Sequence, residues 1–186
     1  DGTLFIHTND VDPQFRLVTA SIDNPGEWVE RIGPSKHFYM TGVDCFADFF
    51  IVEGRDDGLD QIELHRYDPA IAPVRLKFPE ASYVAGLGDN PEYAVDKLRL
   101  SYESMVTPGT VQDYDVATGA ITTLKVQEIP SGYDASKYRT ERLNITARDG
   151  TQVPVSIVYP KDFPRDGSGK LYLYAYGAYG YAIPPG

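Results

Sequence analysis

Short runs along the chain alternate apolar and polar positions or concentrate β-branched and aromatic residues: Leu4 to Thr8, Phe15 to Ala20, Phe49 to Val52, Ile62 to Arg66, Leu98 to Tyr102, Val111 to Tyr114 and Ile121 to Val126. Such runs predict strands, because successive side chains of a strand face opposite sides of a sheet. Between them lie Asp-Gly, Asn-Pro, Thr-Pro-Gly and Ala-Thr-Gly clusters, which supply the backbone conformations that tight turns need. No long amphipathic helix pattern occurs before residue 130, so the fold is expected to be mainly β.

The strand pattern repeats. Three two-strand units, LFIHTNDVDPQFRLVTASID, FFIVEGRDDGLDQIELHRYD and LRLSYESMVTPGTVQDYD, each read strand, polar loop, strand, aspartate. Their openings, Leu4, Phe49 and Leu98, are 45 and 49 residues apart, and their closing residues, Asp23, Asp68 and Asp115, are 45 and 47 apart. That spacing is near the length of a four-stranded propeller blade, about 40 to 50 residues. Segments such as Lys36 to Thr41 and Ala81 to Gly86 are expected to supply further strands. A propeller closes with about four to eight blades. The chain holds about three, so its first part reads as a partial β-propeller.

From Tyr138 the texture changes. Arg142 to Ala147 and Gln152 to Tyr159 alternate on either side of Arg148-Asp149-Gly150, which predicts a long hairpin. After the polar linker KDFPRDGSGK comes LYLYAY, a run apolar at both parities, as in a strand covered on both faces of an α/β sheet. Residues 1–137 are therefore expected to be propeller and 138–186 the beginning of a second, α/β domain.

Composition narrows the functions. The 186 residues are 42% hydrophobic and 24% charged, and the net charge of -10 with a pI near 4.7 disfavours nucleic acid, since the scattered Lys and Arg form no basic patch. An acidic surface suits cationic peptides, and equally serves solubility alone. Cys45, the single cysteine, excludes an internal disulfide and is expected to be a small buried residue. No secretory signal or long apolar span is present, so no membrane partner is expected, and the compartment points to the cytoplasm, with the periplasm open. The start at Asp1 and the end at Gly186 beside an apolar strand suggest an internal piece of something longer.

Several motifs in order give the sequence a resemblance to the prolyl oligopeptidase family of serine peptidases, above all to its oligopeptidase B and protease II branch. They are the Asn24-Pro25 to Trp28 turn, Arg55-Asp56-Asp57-Gly58-Leu59, Tyr114-Asp115 with Ala117-Thr118-Gly119, Arg148-Asp149-Gly150-Thr151 with Val153-Pro154, and Tyr174-Ala175-Tyr176-Gly177-Ala178-Tyr179-Gly180. The resemblance implies a seven-bladed propeller capping an α/β-hydrolase domain that cleaves short peptides, with neither cofactor nor metal. It implies that Tyr176 donates a phenolic hydrogen bond to the oxyanion and that Tyr179 lines the pocket near the scissile bond. Gly177 and Gly180 are expected to allow the turn and a close approach of substrate backbone.

The nucleophile is missing. An α/β-hydrolase serine needs Gly-x-Ser-x-Gly, followed by an acid and a histidine. Ser168 lies in Gly167-Ser168-Gly169 of the polar linker, and His7, His37 and His65 all lie in the propeller repeats. Gly167-Ser168-Gly169-Lys170 lacks the earlier glycine of a phosphate loop, and Asn144-Ile145-Thr146 is a glycosylation sequon inside an expected strand. Arg55-Asp56-Asp57 reads as a blade turn rather than a calcium loop. Ile183-Pro184-Pro185 stands where relatives with a taste for basic residues carry acids, which counts against a dibasic preference. Two readings follow: a stretch of a serine oligopeptidase, inactive alone and prone to pair through open sheet edges, or a non-catalytic propeller-type binding module.

Overall fold

The computed structural model describes residues 2–179 and 181–186. Thr3–Thr8 (β1) and Arg16–Ser21 (β2) pair antiparallel, from Thr3 opposite Ser21 to Thr8 opposite Arg16, and Asn24–Ile32 (β3) adds to the other side of β2. The Asn24-Pro25 to Trp28 stretch, expected as a turn, is thus the start of a strand, and the turn falls on Ile22 and Asp23. Pro25 is tolerated because β3 is an edge, where a missing N–H need not break a ladder bond.

A second sheet runs Phe38–Cys45 (β4), Phe49–Asp56 (β5), Leu59–Arg66 (β6) and Val74–Arg75 (β7), and a third runs Val84–Leu87 (β8), Lys97–Glu103 (β9), Thr110–Asp115 (β10) and Ile121–Val126 (β11). Each strand pairs antiparallel with its sequence neighbour, so both are four-stranded meanders, the architecture of a propeller blade. The repeat predicted from spacing is the repeat observed: β1, β5 and β9 open the equivalent units. After a short 3₁₀ turn at Ala135–Lys137, Tyr138–Thr146 (β12) and Gln152–Pro160 (β13) form the expected hairpin.

The chain divides into two compact units, Asp1–Leu76 with Asn90–Asp96, and Lys77–Asp89 with Lys97–Gly186. In the first unit, Leu17 from one sheet meets Met40, Phe50 and Val52 from the other, with Phe5, Phe15, Ile32 and Phe38 packed around them. The run Phe49 to Val52 is buried at every position, which explains its lack of polar alternation. Gly54 permits the close passage of β4: a Cβ there would stand 2.3 Å from the Phe38 ring and 2.7 Å from the Tyr39 carbonyl oxygen. The β5–β6 connection is a two-residue turn in which Asp57 (φ 51°) and Gly58 (φ 74°) both occupy the left-handed region, the arrangement Asp-Gly favours.

In the second unit β9 alternates strictly, with Leu98, Leu100 and Tyr102 buried and Arg99, Ser101 and Glu103 exposed. Phe78, Tyr83 and Tyr102 form an aromatic cluster with ring centroids 4.9 to 5.9 Å apart. At the end of β10, the Asp115 carboxylate accepts from the Ala117 and Thr118 N–H groups and the Thr118 hydroxyl, shaping the turn that Gly119 completes at φ 73°. Asp68 accepts from the Ala70 N–H at the equivalent point of the preceding repeat.

Cys45 differs from expectation: it stands exposed at the end of β4, although it pairs with the buried Phe50 and precedes the buried Phe46. Partial desolvation still pushes its thiol above the ordinary range, so the thiolate that makes a cysteine reactive is disfavoured. No helix among the described residues is long and apolar enough to cross a membrane.

Candidate functional site

The tyrosine-rich stretch is extended chain that pairs with no strand among the described residues. Leu171, Tyr172 and Leu173 are 83%, 86% and 76% exposed, so the run expected as a covered strand carries no cover among the described residues. The reason is physical: a run apolar on both faces is buried only between flanking strands and two covering layers, and among the described residues nothing plays those parts. The rings pack on each other instead. Tyr172 and Tyr174 stack with centroids 6.5 Å apart, and Tyr176 meets Tyr181 edge-on at 5.8 Å.

Tyr176 is half exposed, and its hydroxyl is engaged by no partner among the described residues. Around Gly177 nothing lies within 4 Å of where a Cβ would stand. Its φ is ordinary, so what the glycine provides here is open space rather than a turn conformation. The turn comes next, closed by the Tyr181 N–H donating to the Ala178 carbonyl at 3.1 Å. Within it Tyr179 takes the left-handed conformation at φ 57°, and the residue is 97% exposed. A bulky residue seldom adopts that conformation without a constraint from its surroundings. Gly180 lies outside the described residues.

Upstream, the hairpin and the linker are joined by a charged cluster. The Tyr159 hydroxyl, on β13, donates to the Glu141 carboxylate on β12. The Arg165 guanidinium, on the linker, donates to both oxygens of that carboxylate at 2.9 and 3.4 Å and sits 5.4 Å above the Tyr159 ring. The Tyr159 hydrogen bond first, then Arg165, hold the Glu141 carboxyl below its ordinary range, and the same bond pushes the Tyr159 phenol up. Sequence reading passed over this cluster. The signal was available in the register: the hairpin places Arg139 opposite Tyr159 and Glu141 opposite Ile157, so Glu141 and Tyr159 are diagonal neighbours on one face.

The remaining candidates are separate. Ser168 is committed to a local turn, its N–H and hydroxyl both donating to Asp166. His65 stacks on Phe50 at 5.0 Å with Nε2 3.1 Å from Glu63, and His7 lies against Phe15 at 4.5 Å with Nε2 buried and unpartnered. His37 is exposed before β4. No histidine ring among the described residues is hydrogen-bonded to a serine hydroxyl, since it is the His37 backbone N–H, not its ring, that donates to Ser35, so no nucleophile and base come together. Two shallow depressions of about 350 and 430 Å³ occur in the second unit, lined around Lys137 and Tyr138 and around Val106 and Tyr133; neither includes Tyr176, Gly177 or Tyr179. What these residues offer is exposed phenols, Tyr176 among them, with open space beside Gly177.

Comparison with known proteins gives matches along the chain. The model of the prolyl oligopeptidase N-terminal β-propeller domain covers residues 1–127. The chain is 40% identical over 184 residues to dipeptidyl aminopeptidase BI of Pseudoxanthomonas mexicana, covering 97% of this chain and 25% of that protein. It is 29% identical over 180 residues to Protease 2 of Moraxella lacunata, covering 97% and 26%. Among solved structures, oligopeptidase B from Trypanosoma brucei, in a closed form with covalently bound antipain, aligns with a TM-score of 0.89 at 30% identity over 98% of this chain and 27% of that one. The chain thus spans about a quarter of the length of these relatives.

Proposed function

Because the chain belongs to the prolyl oligopeptidase family, we propose that it is one stretch of a serine oligopeptidase acting on short peptides. Residues 1–137 are read as the later blades of its propeller, and residues 138–186 as the opening of its α/β-hydrolase domain. The hairpin of β12 and β13 and the apolar run Leu171 to Tyr176 are the first strands of that domain. In the whole enzyme the run acquires neighbours on both sides, which accounts for its exposure here.

The observation that carries this reading is the uncommitted Tyr176 hydroxyl in the family's tyrosine motif. Acyl transfer from a peptide places negative charge on the carbonyl oxygen once a serine attacks it. A phenol held beside that oxygen stabilises the charge as it develops, and such donors contribute about 2.7 to 4 kcal/mol. The open space at Gly177 leaves room for the substrate backbone, and the exposed Tyr179 ring offers a wall to the side chain next to the scissile bond. The serine, the acid and the histidine come from outside these residues, so the chain alone is expected to be inactive. Short peptides are the partners expected of the whole enzyme, and the net charge of -10 disfavours nucleic acids. The cytoplasm is the compartment expected for the enzyme, and the periplasm the alternative.

In the full-length enzyme, Tyr176→Phe is expected to slow the single-turnover chemical step by about 10² to 10³ with little change in substrate binding. An unchanged chemical step removes Tyr176 from the mechanism. A second reading, a non-catalytic propeller-type binding module, draws on the absence of any Gly-x-Ser-x-Gly motif in the chain. Labelling with a fluorophosphonate probe separates the two: the oligopeptidase requires that the product of the complete gene is labelled and the 186-residue chain is not, whereas the module requires that neither is.

A further inference from the structure

The linker Lys161 to Lys170 has the composition of a flexible tether, but its residues are engaged at several points. Arg165 reaches back to Glu141 and lies over the Tyr159 ring. Phe163 turns inward, its ring centroid 6.2 Å from that of Tyr159 and its N–H donating to the Pro160 carbonyl at 3.0 Å. The other end of the linker closes over Phe163: a Cβ on Gly169 would stand 2.2 Å from the ring. Between these points Asp166 holds a turn through Ser168, with Gly167 at φ 86°. The linker therefore doubles back on itself, with Phe163 packed between the hairpin and Gly169.

Two residues after Gly169 begins the run Leu171 to Tyr176. We propose that this folded linker is a positioning clamp, in which the Arg165–Glu141 pair and the Phe163–Gly169 contact fix the start of the run and thereby set where the Tyr176 hydroxyl stands. The effect on catalysis rests on the oxyanion role proposed above; the holding of the run does not. A donor to a developing oxyanion is sensitive to small displacements, since misplacement by about 1 Å can cost about 100-fold. Arg165 and Glu141 touch no reacting atom and act through the chain that joins them to Tyr176. An exposed ion pair alone contributes little. Here it is joined to a phenol hydrogen bond, a guanidinium-to-ring contact and a close ring-to-glycine approach.

The test uses the full-length enzyme carrying Glu141→Gln or Gly169→Ala. Glu141→Gln removes the charge with little change of shape, and Gly169→Ala forces the Phe163 ring away. Hydrogen exchange read by mass spectrometry is expected to speed up at residues 171–176 in both variants, with the propeller peptides unchanged. The value of kcat is expected to fall roughly tenfold with KM nearly constant. In a Tyr176→Phe background the same substitutions are expected to cost less than about twofold, because the group they position is already gone. Unchanged exchange at residues 171–176 overturns the clamp. An equal fractional loss of kcat in both backgrounds overturns the assignment of its effect to Tyr176. Faster exchange combined with a Tyr176→Phe enzyme of normal rate leaves the clamp standing and defeats the oxyanion reading instead.

Discussion

Glu63 shows how a single side chain ties strands together. It lies on β6 and accepts from His65 and from Arg75 on β7, at 3.1 and 2.8 Å, and Arg75 also reaches Asp56 on β5 at 2.6 Å. The His65 hydrogen bond, and then Arg75, hold the Glu63 carboxyl below its ordinary value of 4.5. A carboxyl depressed by folding adds stability that is present above its unfolded value and lost as pH falls through the folded one. Glu63→Gln is therefore expected to destabilise the protein by about 1 to 2 kcal/mol at pH 7. In urea titrations that difference should shrink as pH drops below 4.5 and vanish once both states are protonated. A difference that stays constant with pH would place the effect in packing rather than charge. Gly54 carries the opposite kind of constraint, steric and independent of pH. With the Phe38 ring 2.3 Å from an added Cβ and the Tyr39 backbone at 2.7 Å, Gly54→Ala is expected to cost about 1 to 3 kcal/mol through overpacking, read as a lowered urea midpoint.

At the scale of elements, the turn between β5 and β6 is the plainest case of sequence dictating geometry. Asp57 and Gly58 both take positive φ, so Gly58→Ala is expected to cost about 1 to 2 kcal/mol, read as a lowered melting temperature. Strands with a clear period of two were legible in advance: the exposure of β9 follows its letters residue by residue. β3 was hidden because Asn-Pro-Gly carries every local mark of a turn, and only its place at a sheet edge makes it a strand. β7, two residues long, has no period to read. LYLYAY is a different case, since its letters report the surroundings a buried strand requires and the described residues do not supply them. Tyr176 was legible only through its motif, as nothing in alternation marks out one tyrosine among several. The Glu141, Tyr159 and Arg165 cluster needed the hairpin register, together with a linker contact that spacing cannot reveal.

At the scale of the whole chain, each sheet ends in strands with unpaired backbone groups. β7 is short enough to blunt its edge, but the six residues of β11 are all exposed, Leu124 at 49% and Val126 at 47%, and among the described residues no strand pairs with its outer side. Long exposed edges are templates for pairing with another chain. The isolated chain is expected to associate in a concentration-dependent way in sedimentation velocity, and Leu124→Lys to weaken that association; a monomer at every concentration tested would show that the edges are protected. The three propeller sheets share a further property with consequences in time rather than in stability. Since every strand pairs with the one before or after it, no sheet waits for a distant segment, and the entropy of closing long loops is avoided. Each blade can assemble as soon as its own 45 or so residues have left the ribosome, so the order in which the sheets appear during synthesis is the order in which they are written.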